Sequence, residues 1–283
     1  MSSRTYVTAD EPVLSLTRSL MEIESTSGSE RAVANFIAGW LEARGWTVQL
    51  QSVDGGAGDR ANVLAYRNSS SLSDIELLFN THMDTVPPYI GFSEDAERIY
   101  GRGSTDAKSN LAAMLTAVQN MVESGEPDVE RIGFLFVVGE EVDHAGMIKA
   151  NELGLAIKYL VVGEPTESKM GVGHKGGYKF LLEREGRAAH SGYPELGESA
   201  IEPLMEVALD LSRADLPTSP VLGKTTLNVG MFNGGVAANV IPEYARAEVM
   251  VRVATTVEET ASAIDQVRAR PHSPRLISRT APW

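Results

Sequence analysis

The sequence has 283 residues, of which 43% are hydrophobic and 22% charged, carries a formal charge of -13 and contains no cysteine. That apolar content supports a sizeable core in one large or two ordinary domains. The negative balance disfavours nucleic acid and anionic membrane as partners, and the lack of cysteine excludes disulfides and thiolate ligands, so any metal must be held by His, Asp and Glu, a donor set suited to zinc, manganese or cobalt.

Met1 to Pro12 is polar, without the apolar run of a signal peptide, and no stretch approaches the roughly 18 apolar residues of a membrane span. The expectation is a cytoplasmic protein, in which the Asn68-Ser69-Ser70 sequon is coincidental. Asp10, Glu11 and Pro12 open a helix that continues from Leu14 to Ile23. In the next helix, Val33, Phe36, Ile37, Trp40 and Leu41 recur at i, i+3, i+4, i+7 and i+8 as a core stripe, behind a Ser29/Glu30 start and ahead of Gly45. Trp46 to Leu50 alternates as a strand, Gly55 to Gly58 reads as a loop, and Asn62 to Tyr66 as another strand.

The apolar stretch from Glu76 then runs into His82-Met83-Asp84 and stops at Pro87-Pro88. Strand side chains alternate, so positions 82 and 84 leave on one face, where a carboxylate can fix the tautomer of an imidazole and free its other nitrogen for a metal. Taken alone, such a pair is more often an incidental histidine on a surface turn. The glycines of Gly101-Arg102-Gly103-Ser104-Thr105-Asp106-Ala107-Lys108 precede a helix, Asn110 to Val122, but show neither the Walker spacing nor the dinucleotide fingerprint. Ile132 to Val138 is a buried-type strand ending at Gly139-Glu140-Glu141, a helix spans about 146 to 153, and the strand Tyr159 to Val162 ends at Gly163-Glu164-Pro165. This alternation predicts a mainly parallel α/β sheet. Closely spaced glycines at 171, 173, 176 and 177 suggest a hinge, which places a boundary near 173. Beyond it the order is strand 178–187, helix 199–213, strand 225–232, strand 240–253 and helix 256–268: a β-α-β-β-α-β module short of its last strand. Residues 268–283 have no usable periodicity and read as irregular.

His82 with Asp84, Asp106, Glu140 with Glu141, and Glu164 all fall where a strand ends or a glycine loop meets a helix. The carboxyl ends of parallel strands share one edge, where ligands bind. Carboxylates gathered there repel one another unless a cation offsets them, which implies a metal.

These motifs, His82-x-Asp84, Gly101-Arg102-Gly103-x-x-Asp106-x-Lys108, Gly139-Glu140-Glu141 and Gly163-Glu164-Pro165, resemble the signature of the di-zinc aminoacylase, acetylornithine deacetylase and glutamate carboxypeptidase family, over about residues 12 to 265. The resemblance implies a catalytic zinc-peptidase domain over 1–172 and an inserted ferredoxin-like lid and dimerisation domain over 173–267. It implies that His82 and Glu164 bind one zinc, Asp106 bridges two, Glu141 binds the second, Asp84 orients His82, and Glu140 acts as general base. It also implies a cis peptide at Asp106-Ala107. In the lid, His190 matches a histidine that stabilises the oxyanion in the partner's site, and Asn239 a substrate-contacting asparagine; His144 and His174 match no ligand.

Family members continue about a hundred residues further and supply a last histidine to the second zinc. His272, in Arg270-Pro271-His272-Ser273-Pro274, does not match that setting. The expectation is a carboxyl-terminally truncated homologue with an atypical tail over 268–283, one complete zinc site of the two usual per subunit, and a lid that makes a homodimer. Its lineage would hydrolyse amide bonds in small N-acyl amino acids or peptides. The competing reading is a catalytically impaired remnant, and a nucleotide-binding α/β protein is disfavoured because no phosphate loop is present.

Overall fold

The apolar runs of the amino-terminal half assemble into a five-stranded sheet in the computed structural model, which describes residues 12–53, 60–67 and 72–268 and the backbone of 275–279. The glycine loop at 55–58, the sequon at Asn68 and His272 lie outside the described residues. The chain divides into two compact units, Met1–Lys169 and Met170–Trp283, against the boundary expected near 173. No described helix is long and apolar enough to cross a membrane.

In the first unit, β1 (Thr47–Val53), β2 (Arg60–Tyr66), β3 (Leu77–His82), β4 (Ile132–Val137) and β5 (Tyr159–Val162) lie in the order β1-β2-β4-β3-β5. Strand β3 runs parallel to both β4 and β5, whereas β1–β2 and β2–β4 are antiparallel. The sheet is therefore mixed where a mainly parallel one was expected. The segment between β1 and β2 is too short for a parallel crossover, which needs about a dozen residues, so the two close as a hairpin.

Helices α1 (Pro12–Met21), α2 (Arg31–Glu42), α3 (Lys108–Glu123) and the short α4 (Ala145–Ala150) accompany the sheet. On one face, Val33, Ile37 and Leu41 of α2 and Leu111 and Leu115 of α3 pack with Val63, Phe134 and Phe136. Phe36 and Trp40, expected in the same core, are only partly buried at its margin. The other face buries Leu64, Leu78, Leu135 and Val137 against Ile75 and Ala150. Strand β4 is thus buried at every position, which explains its unbroken apolar run. Phe134 sits at the centre, its ring 5.0 Å from Trp46 and 5.4 Å from Phe136.

In the second unit, β6 (Gly176–Glu185), β7 (Thr226–Gly234), β8 (Tyr244–Val253) and β9 (Arg275–Arg279) form an antiparallel sheet in the order β7-β8-β6-β9, with α5 (Ile201–Ser212) and α6 (Val257–Arg268). Ala245, Ala247, Val249 and Val251 alternate along β8 into a core shared with Leu204, Val207 and Leu211 of α5 and Ile264 of α6. Two expectations change. The strand foreseen over 240–253 is divided before β8: Val240–Ile241 pairs instead with Ala189–His190, and Pro242, which lacks an N–H, cannot continue a ladder. The sheet is also not short of a strand, because 275–279, in the tail expected to be irregular, pairs antiparallel with β6. Ladder bonds come from the backbone, so an Arg- and Ser-containing segment can complete an edge that its composition does not announce.

Replacing Phe134 by Ala empties the centre of the first core and should lower stability by about 3–5 kcal/mol. Denaturant unfolding would measure this, and a loss below about 1 kcal/mol would show that this ring is not the centre of the packing.

Candidate metal centre

Strand β3 delivers His82 as its last residue, 1% exposed, and Asp84 two positions on, fully buried. The main-chain N–H of Met83 donates to Val137 O at 2.8 Å, so the end of β3 is fastened to the end of β4. The His82 ring is held through Nδ1, 2.9 Å from the Asp84 carbonyl oxygen. A carbonyl carries no proton, so Nδ1 donates, and Nε2 faces the site. Nε2 lies 2.9 Å from Asp106 Oδ1 and 3.9 Å from Glu164 Oε1.

Asp84 thus orients His82 mainly through its backbone; its carboxylate, 3.5 Å from Nδ1, has other partners. It accepts from Ser27 Oγ at 2.7 Å and from the main-chain N–H groups of Glu140 at 3.0 Å and Glu141 at 3.2 Å. Burial works against the ionised form, but these donors and His82 outweigh it and hold the Asp84 carboxyl below its usual range. Ser27 was not foreseen. Its segment runs beside Met83–Thr85, with Ser27 N donating to Thr85 O and Thr85 N to Ser25 O. With Ser27 lying 57 positions before Asp84 in the sequence, no local pattern announces the contact.

Asp106 closes the glycine loop, and its peptide to Ala107 is cis. Lys108 opens α3 with its side chain 1% exposed, and Nζ donates to the carbonyls of Leu20, at 2.9 Å, and Ile23. It ties the end of α1 and the residues just after it to the loop; burial lowers its pKa to about 8. Gly103, at φ +88°, packs on this stem: a Cβ there would lie 2.9 Å from Lys108 Cδ. Glu140 and Glu141 follow Gly139 (φ +70°) at the end of β4. Glu164 follows β5, where buried Thr81 donates through Oγ1 to Gly163 O at 2.7 Å.

The titration pattern divides these acids. Burial raises Glu141, with Asp106 adding to the effect. Burial also lifts Glu164 to about 7, with Asp106 and Glu140 adding to it against the pull of His82. His82 moves the same way for the opposite reason: burial would lower it, but Asp106, Asp84 and Glu164 raise it to about 11. Without a cation, the cluster therefore holds protons in place of one. Donor atoms of His82, Asp106 and Glu141 lie within 4.8 Å of one another, and the imidazole and carboxylate set suits zinc or a neighbouring divalent ion. The residues present fit the metal.

Within the second unit, His190 and Asn239 are brought together. Val240 pairs with His190, and Ser191 N donates to Asn239 O at 3.0 Å. His190 Nδ1 accepts from Gly192 N at 3.0 Å, and both side chains are exposed. His144, at φ +52°, stands at the start of α4, and His174 is exposed; neither joins the donor group among the described residues.

The sequence matches the profile of the peptidase dimerisation domain over residues 172–273 and that of peptidase family M28 over 62–156. It is 39% identical over 283 residues to a peptidase M20 domain-containing protein of Schizosaccharomyces pombe, covering 100% of this chain and 70% of the relative. It is 40% identical over 277 residues to a probable carboxypeptidase of Aspergillus terreus, covering 90% of this chain and 63% of the relative. Among solved structures, an M20 family metallo-carboxypeptidase from Sulfolobus solfataricus superposes with a TM-score of 0.67 at 15% identity, over 94% of this chain and 77% of that one. The chain thus spans about two thirds of the length of the curated relatives it matches.

The pKa directions predict how the metal-free chain responds to pH. A histidine raised from 6.5 to about 11 stabilises fully below 6.5, and the gain is lost as pH rises toward 11. A carboxylate raised from 4.5 to about 7 opposes folding once it ionises in that window. Both reduce stability with rising pH, so Tm of chelator-treated protein should fall between about pH 5 and about pH 8, above which Lys108, lowered from 10.5 to about 8, acts in the other direction. A Tm that rises across that range would contradict the assignment.

Proposed function

Because the chain belongs to the M20 peptidase family, we propose that it is a zinc-dependent hydrolase of amide bonds next to an amino acid, acting on peptides as a carboxypeptidase. The observation that carries this reading is the gathering of His82, Asp106, Glu141 and Glu164 around one imidazole nitrogen, with Glu140 beside them on a turn pinned by Asp84. An N-acyl amino acid presents the same kind of bond, so deacetylation is chemically close; the similarity to a probable carboxypeptidase of Aspergillus terreus favours a peptide.

His82, Asp106 and Glu164 would hold one zinc, while Asp106 and Glu141 offer two ligands toward a second. When bound, zinc supplies Lewis-acid polarisation of the scissile carbonyl and acidifies a nearby water. Glu140, whose N–H is fixed on Asp84, is left with a free carboxylate to take the proton of the attacking water and return it to the departing amine. His82 keeps Nδ1 on the Asp84 carbonyl and so presents Nε2 to the cation rather than turning away. In the second unit, the roles proposed for His190 and Asn239 are those the resemblance implies: His190 would stabilise the oxyanion in the site of a partner copy, and Asn239 would contact substrate.

The second unit is also proposed to pair with a second copy of the chain. Among the described residues, strand β7 is an unpaired edge of its sheet. Met205 and Leu209 of α5 and Phe232 of β7 are exposed apolar residues beside it. An edge continued across a two-fold axis, with this face buried, would satisfy both.

Zinc titration of the chelator-treated chain should give one tightly held ion per chain, and His82→Ala should abolish it. Glu140→Gln should retain zinc but lower kcat on carboxyl-terminally free peptides by about 10²–10⁴-fold. Undiminished turnover in that variant would exclude Glu140 as the base, and hydrolysis of N-acetyl amino acids alone would favour deacetylation. Sedimentation should show a dimer that Leu209→Glu converts to monomer; a monomeric parent would defeat the pairing.

A further inference from the structure

Strand β2 carries two buried polar side chains on one face, Arg60 at 3% exposure and Asn62 fully buried. Both are directed to the segment from Val138 to Gly146, which contains Glu140 and Glu141. Asn62 Oδ1 accepts from Val138 N at 3.2 Å, and its Nδ2 donates to Gly146 O at 2.7 Å, so one amide spans both ends of the segment. Arg60 donates from Nη1 and Nη2 to Asp143 Oδ2 and Oδ1 at 3.2 and 3.4 Å. Asp143 Oδ1 in turn accepts from Ala145 N at 3.0 Å, at the first residue of α4.

The guanidinium also lies against Gly139. A Cβ at 139 would come within 2.1 Å of Arg60 Nη2 and 2.3 Å of Asp143 Oδ1, so the pair occupies the space that any side chain there would need. Behind Arg60 stands Glu30, fully buried, with Oε2 3.2 Å from Nε. Glu30 stands at the expected start of α2, but it makes no side-chain cap there. A buried cation between two carboxylates, braced against a turn, is costly to assemble for packing alone, since apolar residues of similar size would fill the space at least as well. Its geometry suits orientation instead, because a planar fork fixes the direction of what it holds.

We propose that Arg60 and Asn62, with Glu30 and Asp143, form a clamp that positions the Glu140–Glu141 turn in concert with Asp84, and that its integrity sets how firmly the centre holds zinc. None of the four belongs to the donor group of His82, Asp106 and Glu141; they are positioning residues, and the zinc part of the proposal rests on the function proposed above. Asp84 fixes the two N–H groups of the turn, and the clamp fixes its flanks, so Glu141 is held beside Asp106.

The test uses the full chain, with amide hydrogen exchange of the 138–146 segment as the primary readout and zinc affinity by chelator competition as the second. Asp143 is partly exposed, so Asp143→Asn and Asp143→Ala should fold; Asp143→Glu keeps a carboxylate for the fork, and Arg60→Lys keeps the charge without it. Asp143→Ala and Arg60→Lys should accelerate exchange in 138–146 while leaving β6 and β8 unchanged. They should weaken zinc binding by about 10–100-fold, the usual effect of removing a group that orients metal ligands, with Asp143→Glu recovering most of the loss. Unchanged exchange in 138–146 in both variants overturns the clamp. Faster exchange with unaltered zinc affinity overturns its role at the centre and leaves it a structural brace. If the parent chain binds no zinc, the proposed function fails and the zinc role fails with it, while the exchange readout still decides the clamp.

Discussion

Negative charge gathered around one buried imidazole is the constraint to which the rest of the first unit answers. Carboxylates within a few ångströms of one another and out of water repel strongly, and a fold that assembles them must offset the charge. Two solutions coexist here. Asp84 is offset by His82 and by neutral donors, a hydroxyl and two backbone N–H groups, and its carboxyl is held below the ordinary range. Glu141 and Glu164 receive no such set among the described residues, and their carboxyls are raised. An acid whose charge is already satisfied serves the scaffold. Acids left wanting a positive partner are available to a cation.

The scaffold charges are arranged on a second principle, in which each buried ion is tied to backbone that must not move. Lys108 turns its ammonium away from the acids and onto carbonyls at the end of α1 and just after it, so the loop bearing Asp106 cannot shift without breaking these bonds. Arg60 braces Gly139 and Asp143 while Glu30 stands behind it. Neither cation lies within ion-pair distance of Asp106, Glu141 or Glu164. Had either done so, it would have supplied the missing charge and competed with a metal.

What the sequence could disclose follows from this division. Strand ends, glycine loops and the acids at them are local signals, so His82, Asp106, Glu140, Glu141 and Glu164 could be picked out and placed on one edge. The glycines were legible for the same reason: positive φ at 103 and 139 is a local demand. Supporting groups were not, because an Arg or Asn in a strand ordinarily reads as solvent-facing, and the partner of Arg60 lies 83 residues away. A pattern of period two gives burial but not the identity of what is met inside. In the second unit, a core of alternating Ala and Val announced β8, whereas β9 is held by main-chain pairing to β6, and composition misread it.

The mixed sheet, which departs from the parallel arrangement expected, accounts for the placement of the clamp. Parallel strands β3, β4 and β5 bring their carboxyl ends to one edge, and those ends carry the acids. Strand β2 runs the other way, with Val63 opposite Phe136 and Tyr66 opposite Gly133. Its first residues therefore reach the edge that its neighbours reach with their last. Run parallel to β4, β2 would bring its Tyr66 end to that edge and carry Arg60 and Asn62 to the other. Among the described residues, the antiparallel pair of β1 and β2 adds nothing to the donor group, yet its direction puts a guanidinium and an amide beside the turn that bears Glu140 and Glu141. In this unit, the parallel half of the sheet gathers the chemistry, and the antiparallel half holds it still.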